Sequence, residues 1–267
     1  MTTVAQTLEA AQQRIRSART EHDGDLRTGI DLGTATCVIT VVDATGAPVW
    51  IDFDRTAAIR DGVVVDFAAA VEAVRTLKAT AEAELGVELT DAATAYPPCI
   101  GEADSRACRF VLEGAGFEQV TLVDEVTAAN RTLGVADGVV IDVGGGSTGV
   151  GVFERGQLVA LDDRPGGGHH LDLILAGSLG LTVTEAEERK RAGENDYLPI
   201  LRPGVERIAA SIRDLTRGAE HLDLHLAGGA LMLPGADTII SKYLGRRVHA
   251  YPHALLITPL GIARNAS

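Results

Sequence analysis

The sequence has few cysteines, no excess of positive charge and no long apolar run. Its cysteines, Cys37, Cys99 and Cys108, form no CxxC pair and leave an odd one in any disulfide scheme, so we expect free thiols in a reducing compartment. The net charge of −13 argues against a nucleic-acid groove or an anionic-membrane patch, since phosphate neutralisation needs clustered Lys and Arg. No apolar run reaches the roughly 18 residues of a membrane span, and the polar amino terminus lacks a signal-peptide core. We therefore expect a cytoplasmic globular protein.

A repeat organises the chain after its first 27 residues. The stretch GIDLGTATCVITVVDATGAPVW (29–50) matches VIDVGGGSTGVGVFERGQLVAL (140–161), and the constant offset places Asp31 on Asp142. Each copy reads as a strand, an aspartate, glycine and hydroxyl residues, an alternating strand, a turn and another strand. Two such hairpins, each at the start of one half, predict two related α/β domains that share a cleft.

The first 27 residues stand apart from this repeat. Apolar residues recur there with a 4, 3, 4, 3 spacing, which predicts one helix with an apolar stripe. The stripe consists of Val4, Leu8, Ala11, Ile15 and Ala18. It has two interpretations: it packs on the body of the protein, or it docks on a partner through Val4, Leu8 and Ile15.

Three adjacent glycines at 144–146 follow the apolar strand that begins the second copy. A glycine weakens a strand by roughly 0.5–1 kcal/mol relative to alanine, so three together indicate that a ligand approaches the backbone closely. In two facing hairpins, peptide N–H groups would surround phosphates while Asp31 and Asp142 hold a hydrated magnesium ion. A β-bulge or tight turn would explain one triglycine alone, but two copies with matched aspartates favour phosphate binding.

Two further glycine stretches have competing interpretations. Gly228 and Gly229 follow an apolar strand, where a helix amino terminus behind the turn would offer N–H groups and room for a flat ring. Taken alone, that pair is better explained as a structural turn. The adjacent His169 and His170 follow glycines 166–168 and suggest zinc, but no further ligand lies at a suitable spacing, so we interpret this stretch as the turn before a helix.

Five segments together resemble the superfamily of actin, the sugar kinases and the heat-shock-chaperone ATPases. The resemblance covers residues 28–264, and the segments occur in the superfamily's order. They are similar to its first phosphate, first connecting, second phosphate, adenosine and second connecting motifs: DLGTATCVITVVD, DEVTAANRTLG, IDVGGGSTGVGVF, LAGGALMLPG and HALLITPLGIA. Within the superfamily, the sequence is similar to a compact, chaperone-like family associated with ethanolamine utilisation and bacterial microcompartment operons.

The resemblance implies a site for ATP or ADP with Mg²⁺. It implies catalytic roles for Asp31, Glu125 and Asp142, with Glu125 orienting the attacking water and the two aspartates holding the magnesium ion through water. It implies that the glycine loops and the adenosine end of the cleft contact the nucleotide through Gly33, Thr34, Ala35, Gly144, Gly145, Gly146, Ser147, Gly168, Glu187, Lys190, Gly228, Gly229 and Met232.

Four features depart from the superfamily's pattern. Gly149 stands where chaperone members carry a second acidic residue, Val126 where the connecting motif has proline, and Met232 where an arginine covers the adenine. No lysine occurs between residues 51 and 66 to match the catalytic lysine of the heat-shock branch. These departures predict nucleotide binding with slow hydrolysis.

The expected fold class is α/β, with two ribonuclease-H-like (actin-like ATPase) domains around a nucleotide cleft and reduced subdomains. We expect an amphipathic extension over residues 1–27, a first domain over 28–134 and a second over 135–267, whose last helix returns to the first.

The resemblance also implies a function. It points to an ATP-binding, chaperone-like protein of ethanolamine catabolism, which as a slow ATPase assists the assembly or maintenance of microcompartment enzymes. Shell proteins or pathway enzymes would then be partners, and the protein would be cytoplasmic or associated with a microcompartment.

Two alternatives to this function stay open. One is a non-hydrolysing scaffold or cargo adaptor that uses the amino-terminal stripe, and the other is a small-molecule kinase, for which the sequence offers no further carboxylate as a base.

Overall fold

The computed structural model describes residues 2–19, 21–60, 62–193 and 195–266. The elements of the first half are α1 (Val4–Gln12), β1 (Arg27–Leu32), β2 (Cys37–Val42), β3 (Pro48–Asp54), β4 (Ile59–Arg60), β5 (Val63–Val64), α2 (Phe67–Leu85), β6 (Asp91–Tyr96), α3 (Glu102–Gly114), β7 (Gln119–Asp124) and α4 (Glu125–Leu133). Those of the second half are β8 (Gly138–Val143), β9 (Ser147–Glu154), β10 (Gln157–Pro165), α5 (Gly168–Leu179), α6 (Val183–Ala192), α7 (Leu198–Leu215), β11 (Leu224–Ala227), α8 (Ala236–Leu244), β12 (Val248–His249), a 3₁₀ turn (Ala254–Leu256) and α9 (Ile257–Ala263).

Two five-stranded sheets with the same strand order form the centres of the two halves. The orders are β3-β2-β1-β6-β7 and β10-β9-β8-β11-β12. In each sheet the first three strands are antiparallel neighbours and the remaining strands add in parallel. Asp31 pairs with Val38 between β1 and β2, and Asp142 pairs with Gly149 between β8 and β9. The repeated mixed topology confirms the predicted fold class of two ribonuclease-H-like α/β halves.

Helices α4 and α9 lie side by side at the junction of the halves. Gly261 of α9 packs so closely on Ala128 of α4 that a Cβ at position 261 would collide with the Ala128 carbonyl oxygen. A Cβ at Gly29 of β1 would likewise collide with the backbone of Ala263. Helix α9 therefore follows the second sheet in the chain but packs against the first. None of the helices within the described ranges combines the length and apolar character of a membrane-crossing segment.

The amino-terminal segment packs on the body of the protein. Helix α1 ends at Gln12 instead of continuing to residue 18, because Ile15 already forms a parallel bridge with Ile51 of β3. Leu8 is fully buried in an apolar core that contains residues of both halves. The first interpretation of the stripe is therefore confirmed. The prediction that Val4, Leu8 and Ile15 form a docking surface is corrected, since Leu8 has no surface left for a partner.

The same segment covers the outer edge of β3 with backbone hydrogen bonds. The Arg16 N–H donates to the Ile51 carbonyl at 2.8 Å, and the Ile51 N–H donates to the Arg14 carbonyl at 3.1 Å. Further along, the Arg19 N–H donates to the Val49 carbonyl at 2.9 Å. Residues 14–19 thus cover part of this edge with three backbone hydrogen bonds around one parallel bridge at Ile15.

Candidate functional site

One cleft opens where the first hairpin of each sheet meets the other. Its volume is about 500 Å³. Both predicted phosphate loops, the predicted adenosine turn and the charged face of α6 line it. Every site residue predicted from the sequence is among the lining residues: Asp31, Gly33, Thr34, Ala35, Glu125, Asp142, Gly144, Gly145, Gly146, Ser147, Gly168, Glu187, Lys190, Gly228, Gly229 and Met232.

The two phosphate loops face each other directly across the cleft. A Cβ built on Gly145 would lie 3.3 Å from the Thr34 Cβ and 3.6 Å from the Ala35 nitrogen. A side chain at position 145 would therefore press on the opposite loop. The glycine therefore lets the two loops approach each other closely at this point.

The second phosphate loop turns its carbonyl groups toward α5. The Gly144 carbonyl accepts from the Gly168 N–H at 2.9 Å, and the Gly145 carbonyl accepts from the His169 N–H at 2.8 Å. The N–H groups of Gly145 and Gly146 donate to no other backbone or side-chain group within the described ranges. Free N–H groups on a glycine loop form a concave site that suits phosphate oxygens.

Three carboxyl groups, which we call the acidic trio (Asp31, Glu125 and Asp142), come together at the base of the cleft. They stand at the end of β1, at the first residue of α4 and near the end of β8. Burial, and then the charge of Asp142, raises the pKa of Asp31 to about 7. Burial raises the pKa of Asp142 to about 6, against the lowering effect of a hydrogen bond from Thr258. Burial, followed by the charges of Asp142 and Asp31, holds the pKa of Glu125 well above its usual range.

The acidic trio suits a hydrated divalent cation. Among the described residues, no lysine or arginine is a main cause of the pKa shifts of the trio, and Lys190, which lines the same cleft, is already paired with Asp172 at 2.7 Å. Of the described residues, only Cys99, Asp162 and Asp163 bring three potential ligand atoms within 4.8 Å of one another, so the trio is too widely spaced to ligate one ion with all three groups. Mg²⁺ keeps several waters and binds through few carboxylates, which this spacing accommodates.

The other end of the cleft combines an ion pair with apolar side chains. The Lys190 Nζ lies 2.7 Å from Asp172 Oδ1 and donates to the Gly168 carbonyl at 3.3 Å, so its ammonium group is held in place. Glu187 pairs with Arg191 at 2.8 Å. Apolar contact surface is supplied by Met232, Leu233 and Leu255. This end of the cleft could hold a flat ring and a sugar hydroxyl.

The glycine pair on that side is a tight turn and not the start of a helix. Gly228 has φ +80°, and a Cβ there would collide with the Val143 carbonyl and with Asp142 Oδ1. The next helix, α8, begins only at Ala236, so the structure agrees with the preferred interpretation of a structural turn and not with the alternative of a helix amino terminus directly behind the glycines. The turn lets the backbone pass beside Asp142, and its N–H groups are not those of a helix terminus.

The two histidines after the third glycine stretch behave as the sequence predicts. Gly168 is the first residue of α5, and His169 and His170 lie in its first turn. Neither histidine belongs to a cluster of three potential metal ligands within the part of the chain that the structure describes. The stretch is therefore a turn that leads into a helix.

One departure from the superfamily pattern, at Gly149, has a packing explanation, and another, the lack of a lysine over residues 51–66, leaves the cleft without a cation from that segment. A Cβ at Gly149 would lie 3.0 Å from the Val126 Cγ2 and 3.4 Å from the Pro98 Cγ, so a longer acidic side chain at 149 has no room. Arg55, between β3 and β4, pairs with Glu188 at 3.3 Å and is not among the cleft-lining residues. The first half thus brings no lysine or arginine of the described ranges into the cleft.

Sequence reasoning missed several polar residues of the cleft, and two of them, Asp172 and Thr258, contact predicted site residues. Asp172 pairs with Lys190, and its position two residues after the GGGHH stretch could have indicated it. The Thr258 hydroxyl donates to Asp142 Oδ2 at 2.6 Å. Its position in the second connecting motif could have indicated that it belongs to the cleft. Both partners are distant in the sequence, so neither pairing follows from a local pattern.

Comparison with known proteins places the chain in a family. The MreB/Mbl protein family model matches residues 52–176. The ethanolamine utilization protein EutJ of Salmonella typhimurium is 38% identical over 244 residues, which cover 91% of this chain and 86% of that protein. The crystal structure of EutJ from Carboxydothermus hydrogenoformans superposes with a TM-score of 0.92 at 40% identity and covers 97% of each chain.

A more distant structure supports the fold alone. MreB 5 of Spiroplasma citri, in a crystal structure bound to AMPPNP, has a TM-score of 0.73 at 16% identity and covers 90% of this chain and 95% of its own. The long, well-covered match to EutJ is the stronger finding, because its identity extends over both sheets and the cleft between them. On that match the chain belongs to the EutJ family of ethanolamine utilization proteins, which has the actin-like ATPase fold.

Proposed function

We propose that this protein binds a magnesium nucleotide, ATP or ADP, in the cleft between its halves. The observation that carries the proposal is the meeting of two facing glycine loops, the second with free N–H groups at Gly145 and Gly146, beside an acidic trio that no lysine or arginine of the described residues pairs with. The loops supply donors for phosphate oxygens. The trio supplies negative charge for a hydrated cation. An anion site beside a cation site suits a ligand that combines phosphate groups with a bound cation.

The residues have separate tasks in this proposal. Asp31 and Asp142 would hold the waters of the magnesium ion, and the N–H groups of Gly145 and Gly146 would donate to the phosphates. Lys190, fixed by Asp172, donates to the sugar, and Met232 contacts the base. When bound, magnesium would neutralise the phosphate charge. The relative with AMPPNP in its crystal structure supports this proposal, since it shares the fold.

We further propose that the two halves, residues 28–134 and residues 135–267 with their last helix, α9, returned to the first half, act as domains that close on the nucleotide. A ligand that contacts both loops binds the closed arrangement more tightly and therefore shifts the population toward it. Within ethanolamine utilization, the protein would act as a slow, chaperone-like ATPase that assists assembly or maintenance of microcompartment enzymes. The partner would bind a surface other than Leu8, which is fully buried.

Slow hydrolysis follows from the charges that the chain provides. Phosphoryl transfer depends on positioning and on stabilisation of the charge that develops. Glu125 can orient a water, but burial and the charges of Asp142 and Asp31 raise its pKa and so disfavour the ionised form that would accept a proton. Within the described ranges no arginine or lysine of the first half lines the cleft, so the transition state lacks one source of stabilisation.

Thermal unfolding with and without nucleotide tests the binding proposal. A ligand specific to the folded state stabilises it by mass action, by about 2.7 kcal/mol at 100 times its Kd. For a chain of this size we expect MgATP at that excess to raise Tm by about 5–10 °C. ATP in EDTA should raise Tm less. No shift with any magnesium nucleotide at millimolar concentration would contradict the proposal.

Phosphate release separates the slow ATPase from a non-hydrolysing nucleotide-binding scaffold. We expect wild-type protein to release phosphate from MgATP slowly and the Glu125→Gln variant to release none above background. The variant keeps the shape of the side chain but cannot accept a proton, so its MgATP-induced rise in Tm should persist. Equal release by the two proteins would rule out Glu125 as the water-orienting group, and no release by either would favour the scaffold.

A further inference from the structure

Thr258 makes a buried hydrogen bond to the acidic trio from the far end of the chain. Its hydroxyl donates to Asp142 Oδ2 at 2.6 Å, and the two residues are 116 positions apart. Thr258 is 5% exposed and Asp142 is 6% exposed. A hydrogen bond to an ionised group is among the stronger ones in proteins, and here water has little access to replace it.

The bond joins the two halves of the molecule. Asp142 belongs to β8 of the second sheet, whereas Thr258 lies in the first turn of α9. Helix α9 is fixed to the first half by the close approaches of Gly261 to Ala128 and of Ala263 to Gly29. The Thr258 hydroxyl therefore moves with the first half, while the carboxylate it holds moves with the second.

The other oxygen of Asp142 is also constrained. A Cβ at Gly228 would collide with Asp142 Oδ1, so the backbone of the glycine turn lies against that oxygen. With Oδ2 held by Thr258 and Oδ1 beside Gly228, the carboxylate has one orientation in this arrangement of the halves. Rotation of the side chain would break the hydrogen bond or push the turn away.

From this geometry we infer that Thr258 is a positioning residue for the magnesium nucleotide. It fixes Asp142 in the orientation that holds the hydrated ion, and it does so only while the halves are together, so ion affinity and closure of the cleft depend on each other. The inference rests on the proposed function of the cleft. The Thr258 side chain itself need not touch the nucleotide.

Binding measurements on two substitutions test this inference. Thr258→Val keeps the shape and removes the hydroxyl, whereas Thr258→Ser keeps the hydroxyl. The Kd of MgATP and the Kd of ATP in EDTA are measured for each by isothermal titration calorimetry. We expect Thr258→Val to weaken MgATP binding by about 10-fold or more and to leave binding of ATP in EDTA nearly unchanged. Thr258→Ser should bind MgATP nearly as wild type does.

The outcomes separate this inference from the proposed function. Wild type that binds no nucleotide overturns both. Wild type that binds MgATP, with Thr258→Val binding equally well, overturns the role of Thr258 alone. Equal losses for MgATP and for ATP in EDTA would show a general structural role and also overturn it. Melting curves without nucleotide check folding, and Thr258→Ala replaces the valine variant if valine does not fold.

Discussion

The Asp31→Asn variant is expected to melt at a higher temperature than wild type at pH 8 in the absence of nucleotide. Asp31 has a folded pKa of about 7 and an ordinary value of 3.8, so the folded protein loses stability as pH rises through that window. Above pH 7 the ionised carboxylate carries the full cost of burial beside Asp142. Since one pKa unit corresponds to about 1.4 kcal/mol, the amide should gain about 1–3 kcal/mol at pH 8 and little at pH 4.

The same variant is expected to lose most of its response to MgATP. The amide is neutral and cannot attract the hydrated cation, so the rise in Tm that wild type shows with MgATP should largely disappear. Asp25→Asn, which removes an exposed carboxylate outside the cleft, is the matched control and should behave as wild type in both assays. A variant that melts below wild type at pH 8, or that keeps the full MgATP shift, would contradict the electrostatic account of the trio.

The Leu8→Ala variant is expected to be about 2–5 kcal/mol less stable than wild type. Leu8 is fully buried in the core between the halves, and a leucine truncated at such a site loses transfer energy and leaves a cavity. Urea unfolding, followed by fluorescence of the single tryptophan, Trp50, measures the change. Trp50 is 1% exposed in β3, so its emission reports loss of the core.

A matched control for this variant lies on the exposed face of the same helix. Gln12→Ala changes an exposed residue of α1 and should change the free energy of unfolding by no more than about 0.5 kcal/mol. If Leu8→Ala changed the free energy of unfolding as little as this control does, helix α1 would not be part of the core. In that case the docking interpretation of the stripe would deserve a second test.

The repeat in the sequence was sufficient to predict the sheets and the cleft. Asp31 and Asp142 recur in matched surroundings, and matched strand patterns produce the same strand order in each half. The three adjacent glycines also predicted where the cleft lies, because few purely structural features explain three glycines beside a buried strand. Patterns of this kind depend on residues that are neighbours in the chain. They can therefore be recognised in the sequence itself.

Other features could not be predicted because they depend on distant contacts. The apolar spacing of the amino-terminal stripe continues through Ile15 and Ala18, yet helix α1 ends at Gln12. The chain beyond it gains more by pairing with β3 than by continuing the helix, and spacing alone cannot reveal that alternative. The bond from Thr258 to Asp142 and the pairing of Lys190 with Asp172 likewise join separate segments.

The strand-like pairing of residues 14–19 with β3 has a consequence for solubility. An exposed strand edge is a template on which another molecule can add a strand and start aggregation. If its edge were exposed, strand β3 would be an aggregation-prone edge strand, since it contains Val49, Trp50 and Ile51 in succession. A molecule whose amino-terminal segment had been cut away or displaced would therefore be prone to self-association and precipitation, even at temperatures where its two sheets stay folded.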